Sequence, residues 1–149
     1  MEWNKDRSII LSIVCVYVFA ILLLGADLTA PMWVSAFFCF FSDSPVNSTA
    51  CLISIYAASV FAWFCLYLLW KLLRSLRRGE VFTEKNIGRL RGISWCCAAV
   101  AVVFLISMMF SLLFFIIAAA AAFMMLIVRI VKNIFQQAAE MKSDLDLTI

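Results

Sequence analysis

Six cysteines and no histidine set the reactive inventory of this 149-residue chain. Cys39 and Cys51 lie in or beside a segment that separates two apolar runs, Cys96 and Cys97 are adjacent, and Cys15 and Cys65 fall inside apolar runs. Dithiol redox chemistry needs a low-pKa thiolate with a resolving partner close by, usually as C-x-x-C, and no such pair occurs here. A membrane thiol oxidoreductase would have to rely on Cys39 and Cys51. Cys96 and Cys97 sit near the cytoplasmic end of the third apolar run, where reducing conditions oppose a disulfide. Cysteines in the middle of an apolar run serve as small hydrophobes. Without histidine there is no imidazole general base, no His triad and no His-containing metal site. No catalytic constellation remains, and no motif calls for a metal or a cofactor.

The carboxylates give a second exclusion. Asp27 and Asp43 are the acids expected outside, and no Asp or Glu falls inside an expected span. Proton coupling wants a carboxylate in the membrane, so a small ion-coupled transporter is disfavoured. A passive pore, or an immunity or envelope-stress protein acting at the membrane, stays open.

The remaining chemistry is charge. The stretch 71–92, KLLRSLRRGEVFTEKNIGRLRG, holds Lys71, Arg74, Arg77, Arg78, Lys85, Arg89 and Arg91 of the chain's 12 Lys and Arg, while none occurs between Arg7 and Lys71. Basic residues beside a membrane set topology and attract anionic lipid, at about 1 kcal/mol each near an anionic leaflet. Arg74, Arg77, Arg78, Lys85, Arg89 and Arg91 are therefore read as lipid-facing or topology-setting residues, with no direct role in nucleic-acid binding.

The elements that position them follow from hydropathy. With 66% hydrophobic and 14% charged residues the chain belongs to the membrane class. The run 8–25 approaches the ~20 residues of a spanning helix. It follows MEWNKDR, which resembles a signal-peptide n-region, but no clean cleavage site follows, so it is read as a retained anchor. Segment 26–49 contains Pro31 and Pro45 and an aromatic cluster of Trp33, Phe37, Phe38, Phe40 and Phe41. It is expected to form an outer loop, interfacial or partly re-entrant. Span two is expected over 50–73, with Ser48 or Thr49 as cap. Gly79 is the natural stop after it, and Thr83 the next N-cap, with Glu84 in the first turn and Phe82 and Ile87 at staple spacing. The basic loop 74–92 thus reads as a cytoplasmic helix-turn-helix connection.

From 93 to 128 no charged residue occurs. One straight helix over that run would extend ~54 Å against a hydrocarbon core of ~30 Å, so two spans, near 93–108 and 112–131, must fold back on each other. The turn belongs near Ser107 to Ser111. Four spans also place every Lys and Arg inside, whereas three would export Arg129, Lys132 and Lys142. The alanine run 118–122 suits close helix packing. The tail 132–149 begins as an amphipathic helix with Ile134, Phe135, Ala138 and Met141 on its apolar side. It ends as DLDLTI, whose alternation predicts an extended docking tail.

Gly79, Phe82, Asn86, Leu90 and Ile93 form G-x-x-F-x-x-x-N-x-x-x-L-x-x-I, and the chain closes on Asp146, Leu147, Thr148 and Ile149. In these motifs and in its layout the chain resembles the bacterial family catalogued as domain of unknown function 2975, small proteins of four spans. It departs from that family in having almost no polar loop between spans three and four. The resemblance implies no activity, substrate or cofactor. It does imply a genetic context, a neighbouring gene for a small helix-turn-helix transcription regulator.

The expectation is an all-α integral membrane four-helix bundle in the cell membrane, multi-pass, with both termini cytoplasmic. It would act without catalysis as a regulatory or sensory partner of such a regulator, and self-association into a homo-oligomer is an equal use of its exposed faces. Phe82, Asn86 and Leu90 share one helical face. With Asp146, Leu147, Thr148 and Ile149 they are the expected partner-binding residues. The alternative for Asn86 is purely structural, satisfying a loop carbonyl.

Overall fold

The computed structural model describes residues 2–41, 45–109 and 112–148, with side chains outside 2–8, 37–41, 45–47 and 113. Four helices account for almost all of it: α1 (Glu2–Phe41), α2 (Pro45–Arg77), α3 (Glu84–Ser107) and α4 (Leu113–Thr148). Each is long and apolar enough to cross a membrane. Only helices close every backbone hydrogen bond within the segment, which is why apolar runs of this length take no other form in lipid.

The helices pack in chain order, α1 on α2, α2 on α3 and α3 on α4. The central helix α3 is accordingly the most enclosed, with 39% of its most apolar window buried against 6–11% for the others. Two cores result. One joins Val34, Cys51, Ala58, Phe104, Phe114 and Ala118. The other, at the basic end, joins Leu72, Leu90 and Ile93, with Leu68, Val131 and Phe135 packed against it. Ala118 is almost completely enclosed, so the alanine run does let α4 approach α3 closely. Phe104 and Phe114 stack across the α3/α4 turn with ring centroids 5.6 Å apart.

Three expectations need correction. The outer loop at 26–49 is largely helix: α1 continues through Pro31 to Phe41, and α2 already begins at Pro45, a first-turn position that suits proline. Ser48 and Thr49 therefore lie inside α2 rather than capping it. The DLDLTI end is also helical, to Thr148, whose hydroxyl donates to the Asp144 carbonyl. A lone extended tail has no strand to pair with, whereas each residue added to an existing helix gains a backbone bond. Finally, Thr83 occupies the N-cap position of α3 with extended backbone, but its side chain makes no capping bond and donates instead to Glu80 O at 3.4 Å. Asp43 and residues 110–111, within the stretch where the turn is expected, lie outside the described residues.

Candidate functional site

At the basic end, α2 closes with bonds from Arg78 N to Ser75 O and from Gly79 N to Leu76 O. Gly79 then takes φ +80°, the left-handed conformation that ends helices at low cost only in glycine. Residues 80–83 lead into α3, and Asn86 organises them. Its Nδ2 donates to Glu80 O (2.6 Å) and Val81 O (3.3 Å), and its Oδ1 accepts from Arg89 Nη1 (2.8 Å). The Arg89 guanidinium also donates to Lys71 O at 3.0 Å, tying α3 to the end of α2. Asn86 is 0% exposed and Leu90 is buried, so neither is available to a partner. The structural alternative for Asn86 is the one its contacts support.

Phe82 stays accessible at 43% exposure, and its ring meets Phe135 of α4 at 5.6 Å. Between the start of α3 and the last turns of α4 lies an open groove of about 750 Å³, lined by Phe82, Ile87, Arg91 and Ala139 together with Glu84, Glu140 and Asp144. Asp146, Leu147 and Thr148 do not line this groove, which Phe82 shares instead with Glu140 and Asp144 of α4. Leu145 and Leu147 project from it, Leu147 at 82% exposure, and Ile149 lies outside the described residues. On the amphipathic stretch, Phe135 packs inward while Ile134 and Met141 are exposed.

The basic residues divide into two cavities on either side of α3. One, of about 250 Å³, is lined by Tyr67, Trp70, Lys71, Arg74, Arg78 and Arg89, with Ser75 and Glu80. The other, of about 440 Å³, is lined by Arg91, Arg129 and Lys132, with Ser94, Trp95 and Met125. Arg77 and Lys85 are exposed and line neither.

No disulfide is formed among the described cysteines. Cys15, Cys51, Cys65, Cys96 and Cys97 are free thiols, and the Cys39 side chain lies outside the description. No group of metal-ligating side chains is assembled among the described residues.

One polar site was missed from sequence. Because α1 does not stop at Gly25, Asp27 lies inside the candidate span Ile9–Ala36 rather than in an outer loop. Its Oδ2 accepts from Ser59 Oγ (2.6 Å) and Trp63 Nε1 (3.2 Å), and its main-chain oxygen accepts from Tyr56 Oη (3.1 Å). These three donors recur at three and four residues along α2 and so face α1 as a stripe. Along α2, Ser59 is ~18 Å from Lys71, within a hydrocarbon layer of ~30 Å. Asp27, expected in an outer loop, thus belongs to a helix long and apolar enough to cross a membrane. The stripe of hydroxyl and indole donors was visible in α2; what concealed it was Pro31, which reads as a breaker.

Comparison with known proteins gives one match. A family described as "Protein of unknown function (DUF2975)" matches residues 8–149. Neither a curated protein nor a solved structure matches the chain.

Proposed function

The chain belongs to the DUF2975 family over residues 8–149, a membership that assigns no activity, and we propose that it is a non-catalytic docking protein for a small cytosolic helix-turn-helix regulator. It would lie in the cell membrane with both termini in the cytoplasm and the α2–α3 connection, a helix-turn-helix of its own, on that side. The observation that carries this is the groove between α3 and α4. Its carboxylates Glu84, Glu140 and Asp144 outnumber the single Arg91, and Phe82, Ile87 and Ala139 supply an apolar floor. An amphipathic helix laid into a groove is held by its apolar face, and an acidic rim selects a basic helix. The helix with which such a regulator contacts DNA carries that charge, so occupancy here would compete with phosphate contacts.

Affinity capture of the detergent-solubilised protein from its host, with mass spectrometry, tests this. A small helix-turn-helix protein recovered with wild type, lost with Phe82→Ala combined with Glu140→Lys, and displaced by duplex DNA is the expected result. Equal recovery with the variant, or no such protein with either, would count against it.

Asp27 supports a second function, an ion-coupled carrier, because an ionisable group in the apolar layer is costly and is kept where it binds an ion or a substrate. Proteoliposomes under an imposed pH gradient separate the two. Gradient-driven uptake of a lipophilic cation that is lost in Asp27→Asn would establish the carrier, and no uptake leaves Asp27 a packing residue.

A further inference from the structure

The basic cavity beside α2 does not end at the helix termini. Tyr67 and Trp70 line it and also line a second, apolar groove of about 340 Å³ between α1 and α2, whose other walls include Val16, Tyr17, Ala20 and Leu66. One side of this shared aromatic pair is thus cationic and the other side is hydrocarbon-like. Trp70 Nε1 donates to Tyr17 Oη at 3.2 Å, which fixes the pair across the α1/α2 interface. Such polar-tipped aromatics settle at headgroup level. The Arg74 guanidinium lies 5.4 Å from the Trp70 ring centre and Lys71 Nζ lies 5.8 Å from that of Tyr67, so the cations are held over the mouth of the groove. Arg78 and Arg89 complete the cavity, and Glu80 is the one acid in it.

We propose that this composite site binds one anionic phospholipid, its phosphate in the Lys71/Arg74/Arg78/Arg89 cavity and an acyl chain along the Val16/Ala20/Leu66 groove. The two halves match the two halves of the molecule. A phosphodiester gains charge-assisted bonds from Arg and Lys at the rim, where the four cations exceed Glu80. The chain covers an apolar groove that α1 and α2 leave open. A soluble phosphate would use only the first half, and a neutral lipid only the second. The second basic cavity, with Arg91, Arg129 and Lys132, serves as an internal comparison of similar charge.

The test uses the full-length protein in detergent, titrated with phosphatidylglycerol or phosphatidylcholine and read by native mass spectrometry. Phosphatidylglycerol is expected to bind at least tenfold more tightly. Lys71→Gln with Arg74→Gln should remove that preference, Ala20→Phe should weaken both lipids by closing the groove, and Arg129→Gln with Lys132→Gln should change neither. Glycerol 3-phosphate, which has the head and no chain, should not displace the lipid. Equal loss from the two double variants would mean diffuse surface charge and overturn the site. Displacement by glycerol 3-phosphate, with Ala20→Phe without effect, would mean a soluble-phosphate pocket and overturn it as well. Circular dichroism of each variant confirms that the helices persist, and Lys71→Arg, which keeps the charge, should retain binding if the loss in Lys71→Gln is electrostatic.

Discussion

Tyr56 donates its hydroxyl to the main-chain oxygen of Asp27 at 3.1 Å, and that oxygen is the one that Pro31 leaves without a helical donor. A proline has no N–H for the carbonyl four residues earlier, and in lipid no water can take its place. Tyr56 supplies the missing donor from the neighbouring helix, so α1 continues through a residue that would stop it in water. Tyr56→Phe is expected to destabilise the α1/α2 pair by about 1 kcal/mol, within the range of interhelical hydrogen bonds in membranes. In a Pro31→Ala background the backbone N–H returns, and Tyr56→Phe should then cost close to nothing. Reversible unfolding in mixed micelles measures both; equal costs in the two backgrounds would show that Pro31 and Tyr56 are uncoupled.

Asn86 and Phe82 separate in the same assay. Asn86 is buried and satisfies Glu80 O, Val81 O and Arg89. Asn86→Ala should cost about 2 kcal/mol or more, since it removes the three hydrogen bonds of a fully buried side chain at once. Phe82→Ala removes a half-exposed ring and one aromatic contact, and should cost about 1 kcal/mol. Loss of partner binding in Phe82→Ala at near-native stability would then mark a contact residue. The same loss in Asn86→Ala would accompany a disordered 80–83 segment, visible as faster proteolysis there.

Gly79 and Gly92 are constrained for different reasons. Gly79 has φ +80°, so Gly79→Ala should cost about 1 kcal/mol from backbone strain alone, and no second-site change in a side chain should relieve it. At Gly92 the backbone is ordinary, but a Cβ would lie 2.8 Å from Leu68 Cδ1 of α2. Gly92→Ala should therefore be mild, because that methyl can swing away, and Gly92→Val more severe. Leu68→Ala should recover part of the loss in Gly92→Val and none of that in Gly79→Ala.

What sequence revealed and what it hid divide along the range of the interactions. The four apolar helices and the stop at Gly79 depend on neighbours within a few turns, and hydropathy and spacing expose them; the face expected for Phe82, Asn86 and Leu90 divides, because Phe82 precedes α3 and stays exposed while Asn86 and Leu90 are buried. The continuation of α1 depends on Tyr56, Ser59 and Trp63, far along the chain, so Pro31 and Asp27 read locally as a loop. The burial of Asn86 was legible as an alternative, because a polar residue on an apolar face must find partners. The C-terminal Leu-Asp alternation fits a strand as well as a helix. Only the presence of a helix already running through Lys142 decides between them.

The last turn of α4 packs on nothing in either core. Leu145 and Leu147 are exposed and belong to neither core, and the Gln136–Glu140 contact and the Phe135 packing lie upstream of them. Removing 145–149 should then change unfolding stability by no more than about 0.5 kcal/mol, as for surface positions generally. It leaves Glu140 and Asp144 in the groove, so a partner held there should lose little affinity. Truncation before Gln136 instead removes the groove wall formed by Gln136, Ala139, Glu140, Ser143 and Asp144, and should abolish binding while α1 to α3 and the lipid site remain. Binding by calorimetry to the captured partner, beside lipid retention, reads both. Complete loss of the partner on removing 145–149 alone would transfer the contact from the groove to Leu145, Leu147 and the terminal residues, where the sequence motif first placed it.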